Sequence, residues 1–200
     1  FMMSVDMVVV QRYFDKEQTG FYAAAGMIGR ALIFFVGPMV AVMFPKIVKS
    51  HAEQKPTDML RFTLLLTAGL CAIAIALSIL VPDLPLRMVY DESFLIATPL
   101  VPWFIGAMAP LALAAVLVNN ILARCKSMNV YLLLGVPVIY AGLLCYAGPK
   151  IAEQTSDGFN VDAHISMVGL IGMGNLCFLA STVILTWVVN QEEKLLLAQA

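Results

Sequence analysis

Charge is what this 200-residue sequence has least of: Asp, Glu, Lys and Arg together make up 12% of it, against about 25% in ordinary soluble domains. With 61% hydrophobic residues and a mean hydropathy of +0.89, too little polar surface remains to cover a soluble fold of this length. There is no surplus of base either, since 12 Lys and Arg face 13 Asp and Glu. A nucleic-acid partner needs a basic surface to neutralise phosphates, and no basic stripe occurs. Cysteine is sparse and scattered: Cys71, Cys125, Cys145 and Cys177 stand singly, in no CxxC or Cys/His grouping that suits a metal. His51 and His164 each stand alone in a polar connection, where a solvated surface histidine is expected. No metal and no cofactor are expected. Enzyme signatures are lacking too, with no Ser/His/Asp set, HExxH or phosphate loop. The glycines Gly169, Gly172 and Gly174 lie inside an apolar run, where small residues serve close helix packing. No catalytic residue is expected.

What is present is a series of long apolar runs. A bilayer core of about 30 Å takes some 20 apolar residues per helix, and the runs 20–47, 59–81, 94–123, 128–148 and 165–189 each satisfy that. The opening run 1–10 would reach only about 15 Å as a helix and is expected to be the tail of a longer span with a truncated N-terminus. The class expected is an all-α polytopic membrane protein of five complete spans and one partial. Basic residues in short loops mark the cytoplasmic side. Lys46, Lys49, Lys55, Arg61, Arg124, Lys126 and Lys194 fall on one side, while Arg12, Lys16, Arg87 and Lys150 fall on the other. The first set, and with it the C-terminus, is expected in the cytoplasm, in a multi-pass protein of the cell's inner (plasma) membrane.

Within the spans two ionisable residues stand out. Arg30 lies about 15 Å deep by helical rise, and Asp6 lies in the partial span before it. A charge at that depth costs at least about 2.5 kcal/mol, so each needs a partner or water. If the turn between them centres on Glu17 or Gln18, Arg30 comes level with Asp6 across an antiparallel hairpin. Two readings stay open, and they are compatible. One is a buried salt bridge that locks the first hairpin. The other is a cavity arginine that meets an anionic substrate, because guanidinium binds phosphate bidentately and keeps its charge. Asn119 and Asn120, near the inner end of their span, are candidates to line the same cavity, or else interhelical glue.

The run Val5-Asp6-Met7-Val8-Val9-Val10, the stretch Gly20, Tyr22, Ala25, and the later Phe44-Pro45 carry a family resemblance. They resemble the C-terminal half of polysaccharide exporters and lipid-linked oligosaccharide flippases of the multidrug/oligosaccharidyl-lipid/polysaccharide superfamily. The resemblance implies a six-helix lobe, its first helix truncated, of a MATE-like two-lobe transporter whose N-terminal lobe is absent from this sequence. It implies export by alternating access of a polyprenyl-pyrophosphate-linked oligosaccharide or polysaccharide, with Arg30 suited to the pyrophosphate, and membrane lipid as the other partner. Two alternatives are weighed. A multidrug or cation antiporter of the same superfamily would favour an acidic cavity, and Asp6 is the one acid well inside a span. A polytopic glycan polymerase or glycosyltransferase would need a large extramembrane loop, and the longest connection runs only over 149–164.

Overall fold

The computed structural model describes residues 2–52, 59–123, 131–153 and 160–199. Every regular element among them is helical: α1 (Val5–Tyr13), α2 (Lys16–Ala52), α3 (Met59–Leu80), the short α4 (Leu84–Val89), α5 (Leu100–Ala123), α6 (Gly135–Glu153) and α7 (Val161–Gln199). Single 3₁₀ turns at Glu92–Ala97 and Tyr131–Leu134 lead into α5 and α6. Lys16–Lys49, Met59–Leu80, Leu100–Ala123, Gly135–Glu153 and Val161–Gln191 are each long and apolar enough to cross a membrane. The protein is an all-α polytopic membrane protein. In lipid an unpaired backbone group costs several kcal/mol, and only helices satisfy theirs within one segment.

The helix ends differ from those read in the sequence, for local reasons. The first hairpin breaks at Phe14, whose backbone is extended at φ −109° and ψ 157°, so α2 starts at Lys16 rather than near residue 20. Before α5, residues 92–97 form the 3₁₀ turn and the helix begins only at Leu100, with Pro102 in its first turn, where a missing N–H costs nothing. The helix α6 starts at Gly135 and continues through Pro149 to Glu153. Residues 128–130, with the basic turn 124–127, lie outside the described residues. The helix α7 starts at Val161 because Asn160 caps it, its Oδ1 accepting from the N–H groups of Asp162 (3.0 Å) and Ala163 (3.4 Å). It also runs on past Val189.

Helix α5 is the centre of the bundle, packing against α2, α3 and α7, while α1 lies against α6 and α2. Without a hydrophobic drive between helices in lipid, close approach depends on small residues. Gly26 of α2 seats the Phe104 ring of α5 and Gly29 its main chain, a Cβ added at Gly29 standing 2.8 Å from Phe104 Cβ and 3.0 Å from its carbonyl oxygen. Gly148 of α6 similarly receives Val9 of α1, and Gly174 of α7 receives the Tyr140 ring of α6. Of the three glycines expected to serve packing in the last span, Gly172 meets Ala107 of α5 and Gly174 meets Tyr140, whereas Gly169 faces open space. Buried hydroxyls mostly return to their own helix: Thr63 to Met59, Ser78 to Ile75, Thr182 to Leu179 and Thr186 to Thr182.

Candidate functional site

The turn between α1 and α2 falls at Phe14 and Asp15, ahead of Glu17 and Gln18, which lie inside α2 rather than at the centre of the turn as expected from the sequence. By helical rise the α2 residue opposite Asp6 is then close to Tyr22, and Arg30 meets Asp6 because its long side chain reaches back along α2. Arg30 donates from a terminal nitrogen to Asp6 Oδ2 at 2.6 Å and from Nε to the Met3 carbonyl at 2.6 Å. That carbonyl precedes the N-cap Ser4 and so stands outside the hydrogen-bond ladder of α1, free to accept from a side chain. The Tyr22 hydroxyl, two turns before Arg30 on α2, donates to the same Asp6 oxygen at 3.2 Å. Asp6 is fully buried, and the Arg30 side chain is only 14% exposed. The glycine at position 26 makes this possible, since a Cβ there would lie 2.9 Å from Arg30 Nη1. The guanidinium therefore lies along its own helix, over Gly26, rather than reaching out from it.

The cluster is incompletely paired. Asp6 Oδ1 is buried and accepts no hydrogen bond from the described residues, and the buried Tyr140 hydroxyl is likewise without a partner among them. Tyr140 is within electrostatic reach of both Asp6 and Arg30, so α6 contributes a polar group to the same region. Arg30 has five N–H donors in a rigid fork, of which two are engaged by described residues. Chemically the arrangement is an always-charged planar donor with capacity to spare, fixed in orientation by a carboxylate and a carbonyl, in a low-dielectric setting where each added hydrogen bond counts for more.

An aromatic layer closes this cluster at the end where α2, α5 and α7 begin. Tyr22 meets Phe104 edge-on with ring centroids 4.8 Å apart, and lies 6.0 Å from the His164 ring, which in turn lies 5.1 Å from Phe14. This corrects the expectation for His164. It is fully buried rather than solvated, because α7 begins ahead of it and carries it onto the hairpin, with Nδ1 donating to the Asn160 carbonyl at 2.7 Å.

Asn119 and Asn120 do not join the Asp6–Arg30 cluster. They lie on α5 about 24 Å by helical rise beyond Phe104, which marks the level of Arg30. Asn119 donates to its own helix at the Ala115 carbonyl, 2.8 Å away. Asn120 is buried with neither amide atom bonded among the described residues. The amide near the cluster is instead Asn175 of α7, fully buried, whose Nδ2 donates to the Ala107 carbonyl of α5 at 2.8 Å. Asn175 and Tyr140 are not among the residues that the sequence singles out, and Tyr22 stands out there only through the family resemblance. A lone Asn in an apolar run was the available signal for the first, since polar side chains in spans face other helices. No family model matches the chain, and no curated protein and no solved structure matches it either.

Proposed function

We propose that this chain is one lobe of a two-lobe exporter that moves a polyprenyl-pyrophosphate-linked saccharide across the inner membrane by alternating access, with its C-terminus in the cytoplasm. One observation carries the reading: Arg30 is held at depth by Asp6 and the Met3 carbonyl, yet keeps donors unused by the described residues. A structural cation at that depth would be cheaper as Leu. A guanidinium pre-oriented by one carboxylate, with its remaining N–H groups uncommitted, suits a diphosphate that meets it when the cavity opens. Asn119 and Asn120 then serve the far end of α5 rather than the head-group site. The basic connections flanking the other ends of α2 and α5 support the orientation. Membrane-impermeant labelling of Ser50→Cys and Gln191→Cys is expected only from the cytoplasmic side, and labelling from the periplasm would overturn it.

Arg30→Ala in the full-length protein is expected to abolish export, read as lipid-linked saccharide retained on the inner leaflet. Removing Arg30 also strands the Asp6 carboxylate, so the double change Asp6→Asn with Arg30→Gln separates substrate contact from packing. Restored abundance with export still absent supports the reading. Restored export would refute it. A second reading, a cation antiporter, is favoured by the buried Asp6 Oδ1 that accepts nothing from the described residues. It predicts that Asp6→Asn alone abolishes transport of a lipophilic cation while Arg30→Lys does not.

A further inference from the structure

Between α2, α3 and the short α4, at the end of the bundle opposite the chain's basic loops, runs a groove of about 340 Å³ bounded by Ile28, Phe35, Leu70, Leu77, Val81 and Pro85. Its walls are almost wholly apolar. Ser78, the polar side chain that borders it, turns its hydroxyl to the Ile75 carbonyl at 2.8 Å. Such a lining offers nothing to a sugar or a phosphate and suits hydrocarbon. Along α3 the wall extends from Val81 to Leu70, about 16 Å by helical rise, which matches half of a hydrocarbon core of about 30 Å. The groove therefore has the depth of one leaflet. At its mouth Leu84 and Arg87 lie one turn apart on α4, hence on one face, and Leu84 lines the groove. Arg87 is 60% exposed, and its nearest carboxylate oxygen, on Asp83, is 3.8 Å away, too far for a hydrogen bond.

We infer that this groove is a binding site for one acyl chain of an anionic glycerophospholipid, with Arg87 meeting the headgroup phosphate. In the proposed orientation the lipid belongs to the outer leaflet, and the site stands on its own geometry whether or not the export reading holds. Hydrocarbon depth, an apolar wall and a loosely held cation at the water-facing end occur together there. Of the chain's deep groups, Arg30 turns into the bundle while its neighbours Ile28 and Ala31 face the groove. The seat is thus separated from the charge cluster by the thickness of α2.

The test uses the full chain in bilayers, with Leu77→Trp as reporter in a Trp103→Phe, Trp187→Phe background and chain-brominated phosphatidylglycerol or phosphatidylcholine as quencher. Phosphatidylglycerol is expected to be enriched at Leu77→Trp roughly fivefold over its bulk fraction, the worth of one basic residue against an anionic headgroup. That enrichment falls to the bulk value in Arg87→Gln, and a Leu65→Trp reporter on the open face of α3 shows none. Equal quenching by both lipids, or selectivity unchanged in Arg87→Gln, would overturn the inference. So would quenching by a brominated polyprenyl phosphate in preference to both, which would make the groove a seat for the carried lipid. Independently of the reporter, native mass spectrometry of the unaltered chain is expected to retain a phospholipid that Ala74→Phe, which fills the groove, releases. Equal retention by both would count against the site.

Discussion

Helices α3 and α5 are equally convincing membrane spans by length and apolarity, yet 61% of the α5 window is buried inside the protein and only 22% of that of α3. The difference lies in which residues face inward. On α5 the buried set mixes large side chains, among them Leu100, Phe104, Met108, Leu111 and Ile121, with interspersed alanines, packed against helices on several sides. On α3 the buried residues are Thr63, Thr67, Cys71 and Ser78, the small and polar ones, while Phe62, Leu65, Ile73 and Leu80 face outward. An α3-type helix is inside out relative to a surface helix of a soluble protein, because lipid is as apolar as a leucine and only packing and hydrogen bonding distinguish its faces. Hydropathy finds both spans and orders neither. On α3 the small and polar stripe shows where it packs, whereas α5 buries large and small residues alike.

The sharpest way to break that comparison is to place the same side chain at a glycine on each kind of face. Gly29 lies under the Phe104 backbone and Gly69 of α3 has nothing within 4 Å of a built Cβ. Gly29→Leu is expected to cost more than about 3 kcal/mol, because the obstacle includes main chain that cannot rotate away. Little folded protein should then be recovered in detergent. Gly69→Leu is expected to leave yield and melting unchanged. A smaller effect of the same kind separates Phe104→Ala from Leu65→Ala. In water a buried Phe→Ala costs about 3–5 kcal/mol. Here lipid is an apolar alternative for the ring, so mainly the cavity remains, and about 2–3 kcal/mol is expected in reversible unfolding. Leu65, 74% exposed, should cost under about 0.5 kcal/mol. Similar losses at both positions would mean that α3 is covered on its leucine face.

How much of this was legible in advance follows the same division. The all-α membrane class was readable because scarcity of charge and five apolar runs long enough to cross a bilayer leave few alternatives. The pairing of Asp6 with Arg30 was readable because two charges in consecutive apolar runs must find one another or water, but its register was not. The turn falls at Phe14 and Asp15 rather than at Glu17 or Gln18, and the length of the Arg30 side chain makes up the difference. Helix ends were not. The extended backbone at Phe14 and the Asn160 cap are each one residue's choice, and the second decided whether His164 faced water or the hairpin. The asparagines were half legible. Asn119 and Asn120 are adjacent on a helix and so point about 100° apart, but which of them is buried, and that both lie far along α5 from Phe104, depends on how α5 packs. That Asn175 would reach the Ala107 carbonyl depended on the α5–α7 crossing, which no local pattern contains.

The smallest effect concerns those amides. Asn175 and Asn119 are the same residue in equally apolar helices, but one bond crosses from α7 to α5 and the other returns to its own helix. Interhelical hydrogen bonds in membranes average only about 0.6 kcal/mol, since the separated helices also find partners. Asn175 additionally buries an Oδ1 with no partner among the described residues, which lowers the net value of keeping the amide. Asn175→Leu is therefore expected to lower stability by about 0.5–1 kcal/mol, and Asn119→Leu by nothing measurable. The lost bond and the bulk added near Ala107 act in the same direction at Asn175, so Asn175→Ala is needed beside it. If Asn175→Ala matches wild type while Asn175→Leu is destabilised, the crossing is set by packing. If both fall by the same amount, the bond to the Ala107 carbonyl contributes on its own. Trp103, half exposed at the α5–α7 cleft, is placed to report the loosening by its fluorescence.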